Sequence, residues 1–350
     1  MRIVSVVGAR PQFIKLAAVA RAMGGSDIDH IIVNTGQHYD RNLSEVFFED
    51  LKIPAADVNL GIGSGTHGAQ TGEMLSALDH ALPSLNPDCV LVYGDTNSTL
   101  AAALSAVKMH FPVAHLEAGL RSFNRTMPEE HNRVLTDHAS DLLLPPTVVA
   151  HQHLVDEGLG NRSYIVGDVM TDICYSTRDK FAGSVLHSGI AGDYLVATIH
   201  RAENTNNPER LKNIVNSLQK LPVTVALLAH PRLQAKAIEF GINLENGSIT
   251  LLQPLPYPQT ISLMLGSKGV VTDSGGLQKE AYLLEVPCTT IRAETEWVET
   301  LEDSWNVLNP NMENLAEIAL RGQPSQSTKP YYGEGDASRR VVEVLLEHFG

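Results

Sequence analysis

"CVLVYGDTNSTLAAALSAVKMHFPVAHL", residues 89–116, decides the fold. "CVLVY" is a continuous apolar run with no polar alternation, so both faces of that strand meet protein, as in a parallel sheet. "GDTNST" breaks the run with a Gly turn and helix-starting Asp, Thr and Asn. An alanine-rich helical segment follows, and "PVAHL" is a second buried strand. Strand, helix and strand in that order make a βαβ unit.

The same rhythm runs outward in both directions. In the first half "RIVSVV", "HIIVN", "DLLLP" and "SYIVG" are expected strands, and "FIKLAAVARAM" and "THGAQTGEMLSALDHAL" have helical period. In the second half "DYLVATI", "VTVALLA", "SITLLQ", "GVVTD" and "PCTTIR" alternate with "PERLKNIVNSLQKL", "QTISLMLG" and "GGLQKEAYLLE". At 350 residues this reads as α/β, with two Rossmann-like doubly wound domains and a cleft between them. The halves meet near "VGDVMTD", around residue 168, without a low-complexity linker.

Composition narrows the function. Apolar residues make up 43% and charged residues 19%, a globular balance. The formal net charge of −14, with no Lys/Arg-rich run, argues against nucleic acid or an anionic membrane as partner. Cys89, Cys174 and Cys288 are far apart and form no CxxC pair, which fits a reducing cytoplasm. The apolar run before Gly8 is too short for a signal-peptide core, and no stretch nears the roughly 20 apolar residues of a membrane helix. A cytoplasmic protein is expected. Without HExxH or CxxC patterns, no catalytic metal is expected.

Several strand ends carry chemistry. "VVGARPQFIK" is a strand, a Gly turn and a helix, which can aim amides, Arg10 and Lys15 at an anion, or can be only a tight turn with solvated cations. "TDSGGLQKEA" repeats the arrangement: Ser274, Gly275 and Gly276 open a helix where a diphosphate can sit, and Glu280 lies two turns further, within reach of a ribose diol. An ordinary N-cap is the plainer reading. Asp95 ends "VLVYGD", and Glu117 ends the next strand in "HLEAGLRS", so two carboxylates stand at equivalent edges. Glu129 and Glu130 follow Pro128 in the first turn of a helix, where a solvated, dipole-complementing role is the default. Arg121, Arg125 and Arg133 surround these carboxylates. His200 and Arg201 end "ATIHR", and His230 and Arg232 lie in "LLAHPR". Other histidines, such as His80, His110 and His151, show no ligand spacing.

A diphosphate cradle in one half and carboxylates in the other point to chemistry on a nucleotide sugar. Carboxylates that remove a proton from a sugar carbon and return it to the opposite face would explain the acidic strand ends. A sugar C2–H is barely acidic, so breaking the glycosyl bond to the diphosphate in the same phase would help.

"GARPQFIK", "GQHYD", "GDTNST", "HLEAGLRS…MPEEHNR", "HRAEN", "HPR" and "TDSGGLQKEA" occur in the order and spacing of the non-hydrolysing UDP-N-acetylglucosamine 2-epimerases. The chain resembles that family from end to end. The resemblance implies a glycosyltransferase-B-like fold with the last helix returning to the first domain. The domains are then 1–168 plus 337–350, carrying the catalytic carboxylates, and 169–336, binding UDP. It also implies interconversion of UDP-GlcNAc and UDP-ManNAc through elimination of UDP to 2-acetamidoglucal, no cofactor, no metal, and a homodimer. Carried over by position, Asp95, Glu117 and Glu129 match acid/base carboxylates, and His200 matches the histidine that assists the departing UDP. Arg10, Ser274, Gly275, Gly276 and Glu280 match UDP contacts, with Leu255 at the uracil and Lys15 beside the sugar. Gln37, His38, Arg133, Arg201, His230 and Arg292 complete the expected substrate-binding set. An epimerase of a modified UDP-sugar such as UDP-diacetamido-glucuronic acid, or a hydrolysing variant releasing ManNAc, shares these motifs. A retaining glycosyltransferase of the same fold and a non-catalytic nucleotide-sugar sensor are the readings from other classes.

Two departures stand out. Trp297 in "RAETEWVE" occupies the place of a second Arg in many bacterial members. Ala69 and Asp40 replace residues of the allosterically activated members, so a regulatory UDP-GlcNAc is expected to bind weakly or not at all.

Overall fold

The structure, a computed structural model, describes residues 1–37, 55–181, 190 and 192–350, without the Arg10 side chain. Its first sheet is built from β1 (Arg2–Val7), β2 (Asp29–Asn34), β3 (Val58–Asn59), β4 (Cys89–Tyr93), β5 (Val113–Leu116) and β6 (Leu142–Leu144). Its second contains β7 (Tyr194–Thr198), β8 (Thr224–Leu228), β9 (Ile249–Leu252), β10 (Gly269–Thr272), β11 (Cys288–Thr290) and β12 (Asn306–Leu308). The spatial orders are β3-β2-β1-β4-β5-β6 and β12-β11-β10-β7-β8-β9, every pairing parallel. Numbered within its own half, the second sheet has the order of the first, the doubly wound Rossmann arrangement. The chain divides into two compact units, Met1–Ile173 with Pro330–Gly350, and Cys174–Lys329.

The helices of the first unit are α1 (Arg10–Met23), α2 (His67–Leu85), α3 (Asn97–Lys108), α4 (Pro128–Ala139) and α5 (Val148–Asp156). α6 (Val169–Phe181) begins in the first unit and ends in the second. The second unit adds α7 (Ala202–Thr205), α8 (Pro208–Gln219), α9 (Pro231–Glu239), α10 (Tyr257–Leu265), α11 (Gly275–Leu283) and α12 (Leu315–Ala319). α13 (Ala337–Phe349) belongs to the first unit and packs on α1.

Local chemistry accounts for these elements. Thr96 starts α3 by accepting from the Thr99 amide, and the alanines behind it let the helix lie close on the sheet. In α8, Leu211, Ile214, Val215 and Leu218 recur at helical spacing and are all buried. The cap of α13 comes from far away: Asp172 on α6 accepts from Ala337 N at 3.0 Å and from Ser338 N at 2.7 Å. Burial raises the Asp172 pKa despite those three donors, the Ser338 hydroxyl included.

One expected strand is corrected. "SYIVG" joins Leu143 through a single bridge at Ser163, with Tyr164 N donating to Leu143 O at 2.9 Å, and makes no ladder. β6 is followed by Pro145 and Pro146, which carry no amide hydrogen, so the edge offers too few partners for a seventh strand. β3 and β12, both short, complete the sheets and were not expected from the sequence.

Candidate active site

In the first unit the carboxyl ends of β4 and β5 bring four expected residues together. Glu117, directly after β5, has φ of +72°, a left-handed backbone that a glutamate adopts only under constraint. Its Oε2 is ion-paired with Lys15 Nζ from α1, and both side chains are nearly buried, 10% and 11% exposed. Gly94, φ +64°, makes room: a Cβ there would lie 3.1 Å from Glu117 Oε2 and 3.2 Å from Lys15 Nζ. Burial pulls the Lys15 pKa down, but Glu117 first, then Asp168 and Asp95, outweigh it and hold it above the ordinary lysine value. Asp95, one residue further, receives Arg133 Nε at 2.9 Å and Nη2 at 2.8 Å, and Asn132 holds its backbone carbonyl.

The surrounding charges form a frame. Asp137 is wholly buried between His115 Nδ1 and Arg121 Nη1, each at 2.7 Å. Arg121 also grips Glu157 with two bonds of 2.7 and 2.8 Å. His115 Nε2 meets the Gly94 carbonyl at 2.7 Å, tying the frame to the turn that carries Asp95. Burial pushes the Asp137 carboxyl up, but His115 and Arg121 prevail and hold it low. Glu130 corrects its default reading. It is 5% exposed, not solvated, and accepts from Ser122 N, Ser122 Oγ, Phe123 N and Arg133 Nη1. Glu129 beside it is half-buried and has no hydrogen bond or ion pair among the described residues.

The β1–α1 turn is also not the open anion site that its sequence allowed. Gly8 N and Ala9 N both donate to Gln12 Oε1, at 2.8 and 2.9 Å, and Gln12 Nε2 continues to Tyr93 O. Gln12 satisfies the amides from within, a role that a single neutral residue in a charged motif did not announce. Gln37 accepts from Ser98 N and Oγ at the start of α3. Gln70 joins Asn97 to the Gly63 carbonyl. His38 and Asp40 lie outside the described residues, as does the Arg10 side chain.

In the second unit the ends of β7, β8, β10 and β11 gather a cationic set. Asp273, fully buried after β10, accepts from His200 Nδ1 at 3.0 Å, from the His200 and Arg201 amides, and from Asn204. Burial raises its pKa, but His200 and the other donors outweigh this and keep it low. An imidazole donating through Nδ1 keeps Nε2 for another partner, so Asp273 fixes the orientation of His200. Sequence reasoning missed Asp273; its place at a strand end just before Ser-Gly-Gly was the available signal. The His200 and His230 rings lie 5.4 Å apart. His230 caps α9, its Nδ1 accepting from Arg232 N. Ser274 caps α11 through Leu277 N at 3.4 Å, with Gly275 part-exposed and Gly276 exposed behind it. Glu280 is 7% exposed, beside buried Tyr257 and Cys174. Leu255 is half-buried before α10. Arg292 and Arg201 both approach Glu296, and Trp297 is buried with Lys279 Nζ 4.0 Å from its ring centre.

A model of the family described as UDP-N-acetylglucosamine 2-epimerase matches residues 21–346. The chain belongs to the UDP-N-acetylglucosamine 2-epimerase family. It is 45% identical, over 99% of both chains, to a protein of Methanococcus maripaludis named UDP-N-acetylglucosamine 2-epimerase homolog. It is 44% identical, over 99% of this chain and 100% of the other, to the UDP-2,3-diacetamido-2,3-dideoxy-D-glucuronate 2-epimerase of Pseudomonas aeruginosa. A crystal structure of the Methanocaldococcus jannaschii UDP-GlcNAc 2-epimerase, in complex with UDP-GlcNAc and UDP, superposes with a TM-score of 0.92 at 40% identity. That match covers 99% of this chain and 100% of the other. The protein is therefore an isomerase of the epimerase kind, with a glycosyltransferase-B-like α/β fold. No described helix is long and apolar enough to cross a membrane. Among the described residues no group of three or more His, Cys, Asp or Glu could hold a metal ion.

Proposed function

We propose that the chain interconverts UDP-GlcNAc and UDP-ManNAc by elimination of UDP to 2-acetamidoglucal and its re-addition. The observation that carries this reading is the pair of carboxylates at adjacent strand ends, each held by a different cation. Asp95 is held by Arg133, and Glu117 by Lys15. One carboxylate takes the C2 proton as the C1–O bond to UDP breaks, and the sugar is reprotonated on its other face. A guanidinium cannot release a proton whereas an ammonium can, so the two carboxylates differ in what they can exchange. Glu129, which has no hydrogen bond or ion pair among the described residues, is the third acid/base candidate. On the nucleotide side, Ser274, Gly275 and Gly276 at the start of α11 receive the diphosphate, with Arg10, Arg201, Arg292 and His230 as cationic contacts. His200, oriented by Asp273, assists the departing oxygen. Glu280 takes the ribose and the Leu255 backbone the uracil, while Gln37 and His38 serve the sugar side.

A proton NMR time course in D₂O with UDP-GlcNAc tests the reading. UDP-ManNAc should appear with deuterium at C2. Product without exchange would rule out proton abstraction, and free ManNAc would reveal a hydrolase instead. A second reading, a 2-epimerase of a UDP-diacetamido-glucuronic acid, is favoured by the 44% identity to a relative of that name. Running both sugars in parallel decides between them. We further propose a cytoplasmic homodimer with hyperbolic UDP-GlcNAc saturation; sedimentation and a rate curve check these.

A further inference from the structure

At the start of α11 the chain sets one of its own carboxylates among the cations. Glu296 Oε2 lies 3.0 Å from Arg292 Nη1, and Oε1 lies 3.6 Å from Arg201 Nη2. Oε1 also stands against Gly275, so closely that any side chain at that position would collide with it. Both partners of the inner pair are buried, with side chains 2% and 7% exposed. Yet among the described residues Arg292 Nη1 makes no aligned hydrogen bond, and Nε has only Glu203 Oε1 at 3.9 Å. A buried guanidinium nitrogen that makes no hydrogen bond is an incomplete contact, and the carboxylate paired with it lies against a helix start whose amides favour an anion.

The backbone around Glu296 is fixed. Thr295 Oγ1 donates to Gln278 Oε1 at 2.8 Å and accepts from Trp297 N at 3.1 Å, while Trp297 is buried with Lys279 over its ring.

We propose that Glu296 is a resident anion of the diphosphate subsite, which an incoming diphosphate displaces from Arg201 and Arg292. The proposal rests on the assignment of α11 to the nucleotide made above. Two anionic groups cannot share one pair of guanidiniums without like-charge repulsion. Glu296 therefore weakens the hold on UDP by competing for the same cations. That weakness suits the reaction, in which UDP must leave the sugar and then attack it again. A diphosphate bound too well would rest in the intermediate state, where binding energy slows turnover.

The test is calorimetric titration of the full chain, wild type and Glu296→Gln, with UDP and separately with uridine. Glu296→Gln should bind UDP about ten-fold tighter, the scale of one partly screened charge at such distances. Uridine affinity should not change. In turnover, UDP inhibition should strengthen while kcat falls. Circular dichroism checks folding, and if the Gln variant does not fold, Glu296→Asp carries the test. That variant draws the carboxylate back from Gly275, and it too should bind UDP more tightly than wild type. Variants that bind UDP no better than wild type overturn the proposal and leave the nucleotide assignment standing. A wild-type chain that binds no UDP overturns that assignment and this proposal with it.

Discussion

The two units share one strand order and use it in opposite senses of charge. In the first, the strand ends present carboxylates, Asp95 and Glu117, each steadied by a cation. In the second they present His200, Arg201, His230 and Arg292, steadied by Asp273 and Glu296. Even the turns match: side-chain oxygens of Gln12 and Asp273 occupy the amides after β1 and β7. A doubly wound sheet therefore fixes where side chains emerge, at the carboxyl ends near the point where strand order reverses, but not which chemistry emerges there.

That contrast can be broken at several points. The largest effect is expected at the acidic ends: Glu117→Gln or Asp95→Asn should lower kcat by roughly two to four orders of magnitude, the range of acid–base groups. Calorimetry should find UDP affinity little altered. Near-normal turnover in either variant removes that carboxylate from proton transfer. Next comes the frame. Asp137→Ala leaves His115 buried without its anion and the Arg121 guanidinium with Glu157 alone, which should cost about 3–5 kcal/mol in denaturant unfolding. His200→Ala should slow C–O cleavage, and Asp273→Asn should reproduce part of that loss by freeing the imidazole. If Asp273→Asn leaves kcat untouched while His200→Ala does not, the orienting role is wrong.

Gly94→Ala probes how tightly the acidic end is built. Its left-handed backbone costs a β-carbon about 1–2 kcal/mol, and the methyl presses on both Glu117 and Lys15. Stability and kcat should fall together. The mildest test is pH. Asp137 and Glu130 are held below their ordinary values of 3.8 and 4.5. A carboxyl whose folded pKa is depressed contributes stability above its unfolded value, and that contribution is lost as pH falls through the folded one. Unfolding followed from pH 7 downward should show the first unit weakening only below about pH 4.5. The Gln variant at Glu130 should flatten that loss.

Most of the fold was legible because continuous apolar strands between helical repeats leave few alternatives. What failed were the short edges. "SYIVG" has a strand's composition, but the prolines after β6 remove the amides that would pair it, whereas β3 and β12 are too short for a period to show. In the site, residue types at strand ends were readable, and their partners were not. Glu129 and Glu130 look alike in sequence, yet the loop amides of Ser122 and Phe123 fold onto Glu130 alone.

Sequence by itself settled the architecture, the family and the positions where charged groups leave the sheets, since those follow from local period and motif order. Tertiary structure decided which of those groups are frame and which are poised for chemistry: that Arg121 and Glu130 are locked, that Lys15 faces Glu117, that Asp273 turns His200. The reason is distance along the chain. Lys15 and Glu117 are 102 residues apart and His200 and Asp273 are 73 apart by backbone contact, and only packing brings such pairs within reach.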